Sequence, residues 1–451
     1  MNREKMLDGP IFKTLLLYSI PLIITNLVQL LFHAADVAVL GVMVGDREVA
    51  AVGACGSIIS LLVCLFSGFS SAAGVMISRR VGAGDVDGAR RATGNALVVG
   101  LISGVALMVV ALVFAKKFLL ITNCQPDVID AAALYMRIYF IGMPITMLYN
   151  FVASVLRAVG DSVRPMTYML ISGALNVGMN VVFVGVCDLE VAGVAMATVI
   201  ANLISLILSS VTLAKNKDYC RVEFKNLRLR KLETAETVKI GVPICLASIF
   251  FYIANVVVSS IINSMSTDAM TANAIANQFD GIVYNIGYSI AVATSAMVGQ
   301  NFGAKKLKRV SRVIKISAVY ATIASLVTGA IIVLFADALL GIMTDSASVT
   351  DIAKSRLLTL CFSYFVTSLM EVLAFSVSVL GKQVYNMIVG ASCGFGVRCA
   401  WAFFIVRMNN TLGFLFTCYP VSAAAAIIIY LFVYRSVMKK QSALLSECAV
   451  K

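Results

Sequence analysis

The sequence predicts an all-α integral membrane protein: twelve transmembrane helices in two six-helix bundles related by pseudo-two-fold symmetry about the membrane normal. Three observations carry that expectation. Of 451 residues, 60% are hydrophobic and only 13% charged, whereas charged residues alone approach roughly a quarter of a soluble domain. Twelve apolar runs reach the length of about twenty residues that a helix needs to cross hydrocarbon. The second half of the chain also repeats the first at a shift of about 221 positions.

The runs lie at 13–44, 49–78, 93–115, 128–157, 163–186, 191–213, 238–264, 269–299, 312–336, 351–380, 384–406 and 411–434. The first is preceded by "MNREKMLDGPIFK" and lacks a small-residue cleavage site, so it reads as a span and not as a removable signal. Of the 36 Lys and Arg residues, 28 fall at the N-terminus, in 79–91, 157–164, 214–239 and 305–315, at Lys382 and in the C-terminal tail. These are alternate gaps between runs, which places both termini in the cytoplasm of a multi-pass cell-membrane protein. The long polar segment 215–237 is the expected cytoplasmic linker between an N-terminal lobe, 1–214, and a C-terminal lobe, 238–451, that ends in a short cytoplasmic tail.

The repeat superposes Met76 on Met297, Gly82-Ala83 on Gly303-Ala304, Arg91 on Arg312, Gly160 on Gly381 and Met166 on Met387, with Pro21 one position off Pro243. Six spans per copy is an even number, so both copies enter the membrane from the same side. Parallel repeats of this kind suit alternating access, one half rocking against the other around a central site.

Composition also excludes functions. The net charge of +13 is spread over short inter-span gaps instead of one exposed face, which argues against nucleic acid and for membrane lipid as the neighbour. Cys55, Cys64, Cys245, Cys361, Cys393, Cys399 and Cys418 sit in apolar runs with no CxxC pair, and read as small core residues. With one histidine and no ligand-spaced cysteines, the chain lacks the nucleophile-and-base or metal cluster of an enzyme, and no cofactor is expected.

Polar residues inside the spans are the candidate site. In "NLVQLLFHAADVAVLG", Asn26, Gln29, His33 and Asp36 are spaced by three, four and three, which puts them on one helix face. An acid in a span costs roughly 2.5–3.5 kcal/mol on insertion scales, so Asp36 must face protein or water. Ser172, Asn176 and Asn180 step by four in the fifth run, and Thr198 and Asn202 step by four in the sixth. Their neutral oxygens and one carboxylate could coordinate sodium, at Asp36 and Asn180, or could hold Asp36 by hydrogen bonds that depend on its protonation. Simple interhelical bonding is the competing explanation. Asn273, Asn277, Asp280, Tyr284 and Tyr288 form a second stripe, and Glu371 lies in the tenth run. The first-half equivalents of the two acids are Ile59 and Asn150, so the halves share a scaffold without sharing a charged site. Substrate contact, or pairing with Arg398 or another cation, would each explain Asp280 and Glu371. Pro21 leaves the Leu17 carbonyl without its helical donor and favours a bend.

The strings "PLIITNLVQLLFHAADVAVLG", "SVLRAVGDSVRPM", "LNVGMNVVFV", "GVAMATVIANLIS" and "SAMVGQNFGAKK", in this order and spacing, resemble the multidrug and toxic compound extrusion (MATE) transporters over nearly the whole chain. The resemblance implies a proton- or sodium-coupled antiporter that exports small lipophilic or cationic drugs; a monomer is expected. It implies Asp36 as the coupling carboxylate with Asn176, Asn180 and Thr198 as partners, and Pro21 as the bending residue. It also makes Gln29 a pocket residue; from the polar stripes themselves, Asn26, Gln29, His33, Asp280, Tyr284 and Glu371 are the expected substrate contacts. Some family members carry an acid where this chain has Asn180, so the site here has one carboxylate fewer. A related flippase for lipid-linked saccharides is the alternative, and would need more cationic groups in the spans than Arg137 and Arg398.

Overall fold

The computed structural model describes residues 3–121, 127–215, 219–222, 226–344, 346–408 and 412–450. Among these, every regular element is helical. The first half comprises α1 (Arg3–Asp8), α2 (Ile11–Met43), α3 (Asp46–Ala83), α4 (Val86–Ile121), α5 (Ile129–Ile141), α6 (Met143–Ala158), α7 (Val163–Gly185) and α8 (Glu190–Lys215). The second comprises α9 (Lys231–Met265), α10 (Thr267–Gly303), α11 (Leu307–Leu334), α12 (Ala336–Gly341), α13 (Ala347–Val377), α14 (Val384–Val389), α15 (Arg398–Met408), α16 (Leu412–Phe416) and α17 (Cys418–Val450). Eleven spans, or twelve with α5 and α6 taken as one, are long and apolar enough to cross a membrane. Helices satisfy every backbone group within the segment, which hydrocarbon demands.

Two departures from the sequence expectation matter. The run 128–157 is not one helix, because α5 and α6 meet at 47° across Gly142. Pro144 stands in the first turn of α6, where its missing N–H costs nothing, and a Cβ on Gly142 would lie 2.3 Å from the Val199 side chain. The run 384–406 is likewise interrupted, by a π-helical segment Gly390–Val397 between α14 and α15. A second π-helical turn, Ser378–Lys382, holds Gly381 at φ 88°, a conformation open to glycine.

The chain divides into two compact units, Met1–Arg3 with Ile20–Cys245, and Glu4–Ser19 with Leu246–Lys451. The divisions fall inside α2 and α9, beside Pro21 and Pro243, so the opening turns of each of these helices group with the opposite half of the sequence. In the first unit, the end of the polar segment is held against α3 and α4. Glu236 pairs with Arg80 at 2.9 Å, and the buried Glu233 lies 3.5 Å from both Arg80 and Arg91. Asn95 Oδ1 accepts from Thr234 Oγ1 and from the Arg230 backbone N–H. Within the expected linker 215–237, Cys220, Asn226, Glu233 and Thr237 are buried while Arg221, Arg228, Leu229, Lys231 and Leu232 are exposed; 216–218 and 223–225 lie outside the described residues. In the second unit, Asn301 donates to the Met6 carbonyl at 3.1 Å and Lys306 pairs with Asp8 at 2.5 Å, which fastens α1.

Small residues let helices approach closely in both cores, the usual device where lipid offers no hydrophobic drive. A Cβ on Gly104 of α4 would fall 2.5 Å from the Pro144 backbone of α6. Around this contact Leu107, Ala111, Met136, Phe140, Met143 and Met147 are buried together. In the second unit Val283, Ile332, Leu357 and Cys361 form the equivalent cluster. All seven span cysteines named above are buried. Large apolar side chains such as Leu334 and Phe432 are instead turned outward, a surface suited to lipid.

Candidate functional site

In the first unit α2 and α7 are brought together by a glycine. A Cβ on Gly173 would sit 1.6 Å from the Phe32 ring, so only glycine lets that ring lie on α7. One turn beyond Phe32 is Asp36. One and two turns beyond Gly173 are Asn176 and Asn180. The three side chains meet there.

Asp36 is 6% exposed and Asn180 is fully buried. Asn180 Nδ2 donates to Asp36 Oδ1 at 2.5 Å. The Asn176 amide is best satisfied with its nitrogen donating to the same Oδ1 at 3.0 Å and its oxygen accepting from the Thr198 backbone N–H at 3.2 Å. The opposite orientation offers only contacts of 3.4 and 3.5 Å, to Thr198 Oγ1 and Asn180. Among the described residues no Lys or Arg pairs with Asp36. Asn180 Oδ1 is buried with no hydrogen-bond partner among the described residues, an acceptor left open beside a carboxylate.

A polar seam between α7 and α8 supports these residues. Tyr168 meets Thr212 at 2.6 Å and Ser172 meets Ser205 at 2.5 Å, with Asn176 and Thr198 continuing the line one turn further. The Thr198 hydroxyl donates to its own helix at Val194, and Asn202 donates to Thr146 at 3.1 Å. Of the expected stripe on α2, only Asp36 is packed in; Asn26 is half-buried, and Gln29 and His33 are exposed. Pro21 is buried within a continuous α2, and its carbonyl accepts from Thr25 Oγ1 at 2.7 Å.

In the second unit the acids have different surroundings. Asp280, expected to meet substrate, is 1% exposed and paired with Arg356 Nε at 2.8 Å. The same guanidinium donates to Asn277 Oδ1 at 3.1 Å and to Asn273 Oδ1, and lies over the Phe416 ring at 5.4 Å. The stripe at 273, 277 and 280 thus closes on one arginine. That partner is Arg356 of α13; Arg398 bonds Asn255 and Ser422 instead. Arg356 had no place in the sequence reading, since it stands near the entrance of a run and looks like a flanking charge. Three oxygen-bearing side chains on one face of α10 were the available signal, because they require a donor.

Glu371 is half-buried, and its Oε1 accepts from Tyr284 Oη at 3.5 Å. No Lys or Arg pairs with it among the described residues. Tyr284 stacks on Phe251 at 6.3 Å and on Tyr288 at 6.0 Å, and Tyr288 meets Phe375 edge-on at 5.5 Å. An acid beside a run of aromatic faces is a chemistry that receives organic cations.

Among the described residues no three His, Cys, Asp or Glu side chains converge as a metal site. What the site offers is one carboxylate, two amides and a hydroxyl-bearing seam.

Known proteins share this fold. The MatE family model matches twice, over residues 21–182 and 243–404, the two copies beginning at Pro21 and Pro243. The chain is 24% identical to the probable multidrug resistance protein YoeA of Bacillus subtilis, over 97% of this chain and 96% of that one. It is 26% identical to the multidrug export protein MepA of Staphylococcus aureus over 53% of each. An outward-facing multidrug resistance MATE transporter matches the fold with a TM-score of 0.90 at 22% identity, covering 98% of this chain and 99% of that one. A Pyrococcus furiosus transporter of the same superfamily matches with a TM-score of 0.91 at 20% identity, over 98% and 99%. With most of the chain accounted for by two copies of that family model, the protein belongs to the MatE family of multidrug efflux transporters.

Proposed function

We propose that the protein is a cation-coupled antiporter of the cell membrane, exporting lipophilic or cationic compounds by alternating access, with Asp36 as the coupling carboxylate and both termini cytoplasmic. The observation that carries this reading is the contrast between the buried acids. Asp280 has a fixed guanidinium, so its charge is already balanced. Asp36 is held by the amides of Asn176 and Asn180 and has no Lys or Arg partner among the described residues, and a buried carboxylate without a counter-charge is satisfied by a cation that comes and goes.

A proton would load directly onto the Asp36 carboxylate. Sodium would need the Asn176 and Asn180 amides to turn their oxygens inward, joining Thr198 as neutral ligands. In either case the ion moves down its gradient while cargo moves up. One elementary charge falling through 100 mV supplies about 2.3 kcal/mol, enough to sustain roughly a fiftyfold outward gradient of a neutral substrate.

For cargo contact we assign Glu371 and Tyr284, with the exposed Gln29 and His33 and the half-buried Asn26 as further polar contacts. Asp280 belongs with the scaffold. The lipid-linked saccharide alternative gains nothing here, since the buried Arg356 is spent on Asp280. The test is transport in proteoliposomes under a proton or a sodium gradient imposed singly. Uphill ethidium export driven by one of them is expected, and equal export with neither contradicts the reading.

A further inference from the structure

Arg398 opens α15, directly after the π-helical segment Gly390–Val397, and is 5% exposed. Its guanidinium lies between two aromatic faces, 4.9 Å from the Phe251 centroid and 4.7 Å from that of Tyr419. Its hydrogen bonds go to neutral acceptors: Nη1 to Asn255 Oδ1 at 3.0 Å, and Nε and Nη2 to the single hydroxyl of Ser422 at 3.4 Å each. No carboxylate pairs with it among the described residues.

This is unlike Arg356, in the same unit, whose charge is met by Asp280. A guanidinium carries five N–H donors in a fork that matches a carboxylate. Three bonds, two of them long and to one oxygen, leave two of the five donors over and two more weakly engaged. Phe251, Asn255 and Tyr419 are only half-buried, so the side chains that enclose the charge keep part of their own surface exposed. π-Helical turns within α-helices recur at functional sites. Here the turn sets the register in which Arg398 leaves the segment.

We infer that Arg398, clamped by Phe251 and Tyr419, is a binding site for the carboxylate of an aromatic ligand, so that this unit selects cargo for an anionic group as well as for a cationic one at Glu371. Phe251 is shared by the two, stacking on Tyr284 on the Glu371 side. A flat ring would lie along these aromatic faces while its acid meets the guanidinium. The inference rests on the exporter reading only for the ligand being cargo, and binding itself is measured without any gradient.

Trp401, the only tryptophan in the chain, stands one turn from Arg398 and reports on the site by energy transfer to an anthracene. The experiment compares 9-anthracenecarboxylate, its carboxamide and 9-anthracenylmethylammonium on the full-length protein in phosphatidylcholine nanodiscs. The carboxylate is expected to bind about tenfold or more tighter than the carboxamide, as a charge-assisted bond requires. Arg398→Gln should erase that difference, and so should Asn255→Asp, which keeps the arginine but places an acid against Nη1. The second variant also guards against a folding defect in the first. Equal binding of carboxylate and carboxamide, no saturable binding, or a preference that survives Asn255→Asp overturns the proposal. Discs with added phosphatidylglycerol distinguish the source of the anion. Unchanged carboxylate affinity assigns the site to a diffusible ligand, and an Arg398-dependent fall assigns it to a lipid headgroup.

Discussion

Replacing Arg356 by Met should destabilise the second unit severely. The guanidinium holds the 1% exposed Asp280 at 2.8 Å and also donates to Asn273 and Asn277. Its loss leaves a buried carboxylate unpaired and two amide oxygens without donors. Breaking such a pair from one side costs about 3–5 kcal/mol. For a unit of roughly 200 residues each kcal/mol moves the melting midpoint by about 2–4 °C, so a fall on the order of 10 °C is expected in detergent at one fixed scan rate. Asp280→Leu combined with Arg356→Met removes both charges and should recover half or more of the loss, because neighbouring sites couple. The double variant should also retain uphill export. A single variant that melts within 2 °C of the parent would refute the structural assignment. So would a stable double variant that has lost transport, which would return Asp280 to the working site.

Other outcomes follow from the same geometry. Glu371→Gln should lower export of cationic dyes by about tenfold while leaving neutral lipophilic substrates within about twofold, as competition transport assays would show. Asn180→Leu removes the 2.5 Å donor to Asp36 and should cut gradient-driven export by about tenfold or more, the worth of a bond to a charged group; unchanged coupling would count against the site. Gly173→Ala puts a methyl 1.6 Å from the Phe32 ring, and should impair coupling by displacing α2 from α7 even though no polar group is altered. Gly104→Ala, 2.5 Å from the Pro144 backbone, should instead lower the melting midpoint at a cost of about 1–3 kcal/mol.

Span number and pairing into halves were legible because hydropathy over twenty residues is a strong signal and the duplication repeats it. The break at Gly142 was not, since a run such as 128–157 is equally apolar on both sides of a bend and Gly-Pro spacing alone does not give an angle. The π-helical segment before Arg398 left no trace in composition beyond its glycines. For the site, the four-residue steps of Asn176 and Asn180 located the partners of Asp36, because one helix face follows directly from 3.6 residues per turn. Periodicity says nothing of depth. It therefore placed Gln29 and His33 with Asp36, although they lie in the open and Asp36 is packed in. Nor could it pair Asp280 with Arg356, 76 positions away on another helix.

The most direct test is Asp36→Asn, an isosteric change that removes the buried charge held by the Asn176 and Asn180 amides. In proteoliposomes with an imposed ion gradient, the variant should bind ethidium as the parent does yet show no uphill export. Export against the gradient at the parent rate, with the variant correctly inserted, would contradict the role of Asp36 as the coupling group.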